Sequence, residues 1–272
     1  MKKLYFSSAL ILTVSLAPAN CAGDGAAHDQ FVEAVRQQVL SHVGALPNFI
    51  CIRERVETAQ LGVSLDNYPV DDSRVEVSYY GRQEHYRPLK EGPAAPEIGV
   101  ISMGEFGGTL HLIFEPSSKA IFVVKGQQTI RGHKTVRIDF QAPQEGSRLS
   151  IMMGERRVFV AYQGSCWADQ ESKQIVRLQV LVRTLPKDLN IQKAAQSIEY
   201  DRVKIGEGTY WLPVSAASET YMVANAGDVS MDLAKAIFGF SRPGISWDKA
   251  MVKNLVKFKD YRKFEAESKL LP

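Results

Sequence analysis

The chain has 272 residues, 45% of them hydrophobic and 23% charged, which is enough apolar material for one large domain or two small ones. Lys and Arg number 33 against 30 Asp and Glu, and setting aside Lys2 and Lys3 as part of a leader leaves 31 against 30. A folded domain with so even a balance is not built around nucleic acid or another polyanion.

Residues 1–22 read as an export signal. Lys2 and Lys3 supply the positive start, Leu4 to Ala17 an apolar core too short to span a bilayer, and Ala17-Pro18-Ala19 the small residues of a cleavage site. Cys21 raises the alternative of a lipid anchor, but Asn20 is a poor fit to the small residue of a lipobox, so periplasmic or secreted export is the expectation. No later stretch is long and apolar enough to be a transmembrane helix. Once the leader is gone, the thiols left in an oxidising compartment are Cys51 and Cys166. Both fall on predicted strands, so either they pair as a disulfide or they are two buried thiols that never meet.

Residues 23–272 are expected to form a single domain. A helix is predicted over 28–43, where Phe31, Val35, Val39 and Val43 recur every four residues and Val32 and Leu40 widen the stripe. Asp29 fits its N-cap, and Gly44 with Pro47 its end. Followed only by strands, that one apolar stripe must cover a sheet. Phe49 to Glu57 reads as a first strand, the polar residues 58–73 as a loop, Arg74 to Tyr80 as a second strand and Gln83 to Tyr86 as a third after Gly81. Ser102-Met103-Gly104-Glu105 has the spacing of a capping box, ahead of a short helix carrying Phe106, Leu110, Ile113 and Phe114. Gly107 and Gly108 weaken that helix; they suit close packing better than a movable flap.

From Lys119 onward the pattern is a meander. Strands are predicted at 120–124, 136–140, 149–153 and 158–162, with a turn at Arg131-Gly132-His133-Lys134. The clearest hairpin runs from Gly164 to Arg183: β-formers flank Asp169-Gln170-Glu171-Ser172-Lys173, where an Asx-type turn is expected, and Val176, Leu178, Val180 and Val182 are placed on one face. Strands at 196–205 and from Tyr210 toward Met222 meet at Gly206-Glu207-Gly208. A short helical insertion follows near 230–239 and a last strand at 252–261. The lysines around that strand (Lys249, Lys253, Lys257, Lys259) read as protection of a sheet edge, or as contacts to anionic headgroups or an acidic partner. About ten strands in sequence cannot stay flat, so the expected fold is α+β: a curled antiparallel half-barrel with the long N-terminal helix in its concave face.

Trp167, Asp169, Ser172, Ile175 or Val176, and Arg177 together resemble the hairpin run of the exported half-barrel superfamily of LolA, LolB and the sensor domain of RseB. The blocks at 46–51, 104–118 and 258–268 are similar to uncharacterised exported proteins of acidobacterial type. The resemblance implies a fold and an envelope compartment; no binding residue of LolA matches position by position. Signatures of catalysis are missing. The histidines (28, 42, 85, 111, 133) are isolated and there is no Cys-x-x-Cys, so neither a metal nor another cofactor is expected. Gly164-Ser165-Cys166 is no nucleophile elbow, and Asp169 and Glu171 read as turn-formers rather than paired acids. The expected role is therefore non-catalytic: binding a hydrophobic ligand (an acyl chain, lipid or lipoprotein) in the envelope, with Phe106, Leu110, Phe114, Trp167 and Trp211 as candidate apolar walls or plain core. A protein-interaction or sensor domain of RseB type, with an envelope protein as partner, is the alternative, and a hydrolase with a concealed site is the third.

Overall fold

The computed structural model describes residues 21–62, 66–89, 104–153, 156–182, 185, 191–223 and 249–264. The leader up to residue 20, the cap at Ser102 and Met103, and the insertion at 230–239 lie outside them. The first element is a helix, α1 (Cys21–Gly44), which starts seven residues before the predicted start at residue 28. Strands β1 (Phe49–Leu61), β2 (Tyr68–Tyr80) and β3 (Gln83–Pro88) follow, then a short helix, α2 (Gly108–Phe114). The meander comprises β4 (Ile121–Ile130), β5 (His133–Ala142), β6 (Ser150–Met153), β7 (Arg156–Phe159), β8 (Tyr162–Asp169), β9 (Ile175–Val182), β10 (Ile191–Ile205), β11 (Gly208–Val223) and β12 (Lys249–Lys263).

Ten of these strands make one antiparallel sheet in the order β3-β2-β1-β12-β11-β10-β9-β8-β5-β4, and β6 and β7 form a separate two-stranded hairpin. The sheet is open and curled. Register shifts interrupt the pairing of β1 with β12, β4 with β5, β8 with β9 and β10 with β11, and each such bulge adds bend and twist to a sheet already too wide to be flat. Both helices lie on one face. Val35 and Val39 of α1 are buried in the same cluster as Phe49, Phe106, Leu110 and Phe114, each contributing about 1.5–3 kcal/mol of apolar burial. Arg36 ties the two helices together by donating to the carbonyl of Phe114, the last residue of α2, where a cation also meets the negative end of the helix.

Two readings of the strands need correction. Residues 58–73 are not all loop: β1 continues to Leu61 and β2 begins at Tyr68. Ala59 and Leu61 look unremarkable in sequence but join Met222 and Val252 in a small apolar cluster, because β12 and β11 run on beside them. The lysine-rich last strand is not an edge either. β12 sits between β1 and β11, in the interior of the sheet. Its alternate lysines face away from the helices, with Lys259 on Glu54 at 2.7 Å and Lys253 on Glu219 at 3.2 Å. Alternating apolar and charged residues here mark an antiparallel strand with one dry and one wet face.

The hairpin of β8 and β9 closes as expected. One oxygen of Asp169 accepts from the N–H groups of Glu171 (3.2 Å) and Ser172 (2.8 Å) and from the Ser172 hydroxyl (2.8 Å), and Lys173 takes the left-handed conformation. The backbone N–H of Lys173 donates to the Asp169 carbonyl at 3.0 Å, while its ammonium donates to the Gln170 carbonyl and lies 4.7 Å above the ring of Phe31, holding α1 against the hairpin. A bulge opposite Trp167 and Ala168 breaks the alternation, so Ile175, Leu178, Val180 and Val182 join the main core while Val176 joins Trp167 and Ile130.

Candidate functional site

Among the described residues, little space remains under the helices. Phe106, Leu110 and Phe114 are buried in the core: Phe106 meets Phe49 (5.3 Å between ring centres) and Phe258 (5.1 Å), and Phe114 stacks on Phe122 at 5.1 Å. The space left between α1, α2 and the sheet, bordered by Val39, His42, Phe106, Leu110, Tyr200 and Trp211, is about 10 Å³, at the lower limit for a single water. Polar groups are held there too. Buried Glu105 lies 3.7 Å from buried Arg53, and the Cys51 thiol contacts the Tyr261 hydroxyl, which donates to the carbonyl of Pro213 at 2.5 Å.

Cys51 and Cys166 do not form the candidate bridge; both are buried free thiols. They lie on β1 and β8, five positions apart in the sheet order, or about 24 Å along it. A disulfide needs its Cα atoms within about 7 Å. Burial pushes the Cys51 thiol up to about 12 and raises Cys166 as well, so neither is poised as a nucleophile.

Of the five proposed wall residues, Phe106, Leu110 and Trp211 border the same small space, and Phe114 lies at the far end of α2. Trp167 is on the other side of the sheet. Its ring lies between the guanidinium groups of Arg137 (5.7 Å) and Arg177 (5.6 Å), its register neighbours on β5 and β9, and its indole N–H has no partner among the described residues. Trp211 packs against both the main core and the Trp167 cluster, and its carbonyl accepts a 2.7 Å hydrogen bond from His42 of α1.

The larger opening is on this second face. A trough of about 720 Å³ crosses β4, β5, β8, β9, β10 and β11. Two adjacent register rows build it. Val123, Asp139, Ser165, Gln179, Ser197 and Ala217 are successive cross-strand neighbours, and so are Ile121, Gln141, Gln163, Leu181, Ala195 and Glu219. Six strands at the usual spacing give it a length of about 24 Å, while rows two residues apart give a breadth of about 7 Å. A twisted sheet is a saddle, so the face opposite the helices is also hollow along one diagonal. Small side chains at Ser165, Ser197, Ala195 and Ala217 deepen that hollow.

Ile121 and Val123 are 59% and 48% exposed, well beyond what a strand core needs, and lie at the β4 edge of the trough. Asp139 accepts from Arg137 and from the Ser165 hydroxyl, both at short range. Burial raises its carboxyl, but those two partners and the charges of Arg137 and Lys125 outweigh burial and hold it below the usual range. Lys125, Lys193 and Glu219 complete the polar lining. Among the described residues no cluster of three His, Cys, Asp or Glu could hold a metal ion, and no helix is long and apolar enough to cross a membrane.

No family model matches the chain, and no curated protein matches it. Solved structures do resemble it. A DUF1329 family protein from Desulfovibrio piger is 9% identical at a TM-score of 0.39, over 88% of this chain and 95% of that one. An outer membrane lipoprotein-sorting protein domain from Vibrio parahaemolyticus has the same identity and score, 9% and 0.39, over 89% and 94%. A LolA superfamily protein from Nitrosomonas europaea is 7% identical at a TM-score of 0.32, over 89% and 97%.

Sequence reasoning missed the trough. Its residues are the solvent-side positions of otherwise ordinary strands, spread from 121 to 219, and only register brings them together. The available signal was weak: Ala195, Ser197 and Ala217, small residues at strand positions where β-branched side chains are usual.

Proposed function

We propose that this chain is an exported, non-catalytic binding protein of the cell envelope whose ligand is an acyl chain, a lipid or the lipid moiety of a lipoprotein. The observation that carries the reading is the trough: about 720 Å³, within the range of ligand sites, several times longer than broad, and lined by apolar and polar side chains in the same two rows. Such a shape suits an extended amphiphile better than a compact ring or a bare hydrocarbon. On this reading the ligand lies on the face of the sheet opposite α1 and α2. Native mass spectrometry of the gently purified protein, with solvent extraction of the same sample, tests this. A stoichiometric adduct that extracts as an amphiphile is expected. An unadducted mass, together with no uptake of a fluorescent acyl chain, refutes it.

One observation favours the protein-interaction reading as second choice. Val56 (45% exposed) and Leu255 (50% exposed) are direct cross-strand neighbours on β1 and β12, and Leu255 is in turn register neighbour to Ala217 of the trough. An apolar pair left open on a wet face is the kind of spot a protein partner covers. Under that reading Leu255→Ser abolishes partner capture and leaves acyl-chain uptake unchanged.

A further inference from the structure

We infer that the trough selects an anionic single-chain amphiphile and that Lys125 holds its charged head. The inference rests on the acyl-ligand reading above and adds to it the charge of the ligand and its direction. Both carboxylates of the trough are already engaged: Asp139 by Arg137 at 2.8 Å, and Glu219 by Lys253 at 3.2 Å. Two ammonium groups remain in the lining, Lys125 and Lys193, and neither has an ion-pair partner among the described residues. They are not equivalent. Lys193 lies 4.8 Å over the ring of Tyr221, its cross-strand neighbour, which occupies it. Among the described residues Lys125 has the charge of Asp139, which is shared with Arg137 and the Ser165 hydroxyl.

The backbone also treats Lys125 as special. The pairing of β4 with β5 slips between Val124 and Gly126, so Lys125 is the extra residue of a bulge, and Gly126 takes a φ of 155° that other residues rarely adopt. A bulge re-aims the side chain it carries, and this one adds a cation to the lining of the trough, two residues from exposed Val123. Lys125 and Lys193 are on β4 and β10, four strands or about 19 Å apart, so one head cannot reach both. A head at Lys125 directs its tail across Val123 and Ile121 toward Leu181, Ala195 and Ala217.

The test is a titration of the full mature chain, read by calorimetry, with palmitate, hexadecyl phosphate, neutral hexadecanol and inorganic phosphate alone. Both anionic amphiphiles are expected to bind about five-fold or more tighter than hexadecanol, and inorganic phosphate not at all. Lys125→Gln, at an exposed site where folding is not at stake, should remove that preference, while Lys193→Gln leaves it in place. If anionic and neutral chains bind alike and Lys125→Gln is silent, the head-group assignment is overturned and the acyl reading stands. Loss of the preference in Lys193→Gln instead of Lys125→Gln overturns the direction. Binding of phosphate as tight as that of hexadecyl phosphate overturns the amphiphile. Failure of all three chains to bind sinks both this inference and the reading on which it rests.

Discussion

Gly107 faces Val43 of α1, and replacing it with alanine tests whether α1 is docked as described. It is the N-cap of α2, at φ 120° and ψ −14°, a conformation that costs an L-residue about 1–3 kcal/mol. A Cβ built there comes within 2.8 Å of Val43 Cγ2 and 3.2 Å of Cγ1, both on α1. Val43 is on a helix already anchored by Val35, Val39 and His42, so it cannot retreat alone, and overpacking of this kind costs a further ~1–3 kcal/mol. Allowing for partial relief, Gly107→Ala should destabilise by about 2–4 kcal/mol, or roughly 5–15 °C in Tm for a domain of this size. Its neighbour supplies the control. A Cβ at Gly108 meets nothing within 4 Å, and at the first helical position alanine is the better helix former, so Gly108→Ala should be neutral or raise Tm slightly. Differential scanning calorimetry of the three proteins decides. A Gly107→Ala midpoint within about 2 °C of the parent, or equal damage from both substitutions, refutes the docking of α1 on α2.

Two further outcomes follow from buried groups. Burial lowers the pKa of His42 below its usual 6.5 even though its hydrogen bond to the Trp211 carbonyl works the other way. The unfolded chain therefore takes up the proton first, so stability is complete above 6.5 and falls as pH drops through that value toward the lowered folded pKa. His42→Gln should flatten the Tm-against-pH curve between about pH 7.5 and 5.5 relative to the parent, and parallel curves would count against the burial of His42. Cys51 and Cys166, with raised thiol pKa values and no exposure, should resist iodoacetamide in the native protein and react fully in denaturant, as read by peptide mass; rapid native labelling of either contradicts their burial.

What the sequence made legible was whatever repeats with a period. The apolar stripe of α1, the alternation at Val136, Ile138 and Phe140, and the Asp169 turn each state a local rule, and each is found in place. Curling follows from strand number alone. What escaped is decided between strands. Nothing local says that β12 inserts between β1 and β11, and so its lysines, which read as edge protection, serve instead the wet face of a central strand. Simple alternation puts Val176 with Leu178, and the one-residue bulge that breaks the alternation leaves no mark in the composition. The interior was legible as greasy but not as full, because packing depends on how α2 and Phe106 fill the space that α1 leaves. The trough depends on cross-strand register over six strands, and that quantity no single segment carries.

The trough also bears a cost that plain stability does not explain. Ala195 and Ala217 occupy solvent-side strand positions, where threonine favours the pleated conformation by up to about 1 kcal/mol over alanine. Their neighbours across the sheet are Leu181 and Ser197, so a β-branched side chain at either position would find partners rather than a clash. A sheet selected only to fold should have filled these places. Ala195→Thr and Ala217→Thr are therefore expected to hold or raise Tm, by about 1–3 °C each, while narrowing the trough and weakening palmitate binding severalfold. Opposite signs in the two measurements are what a site kept open for a ligand requires. If both variants bind palmitate like the parent, the chain does not lie in these two rows; if both lose stability, the small residues are there for packing and the hollow is a by-product of the twist.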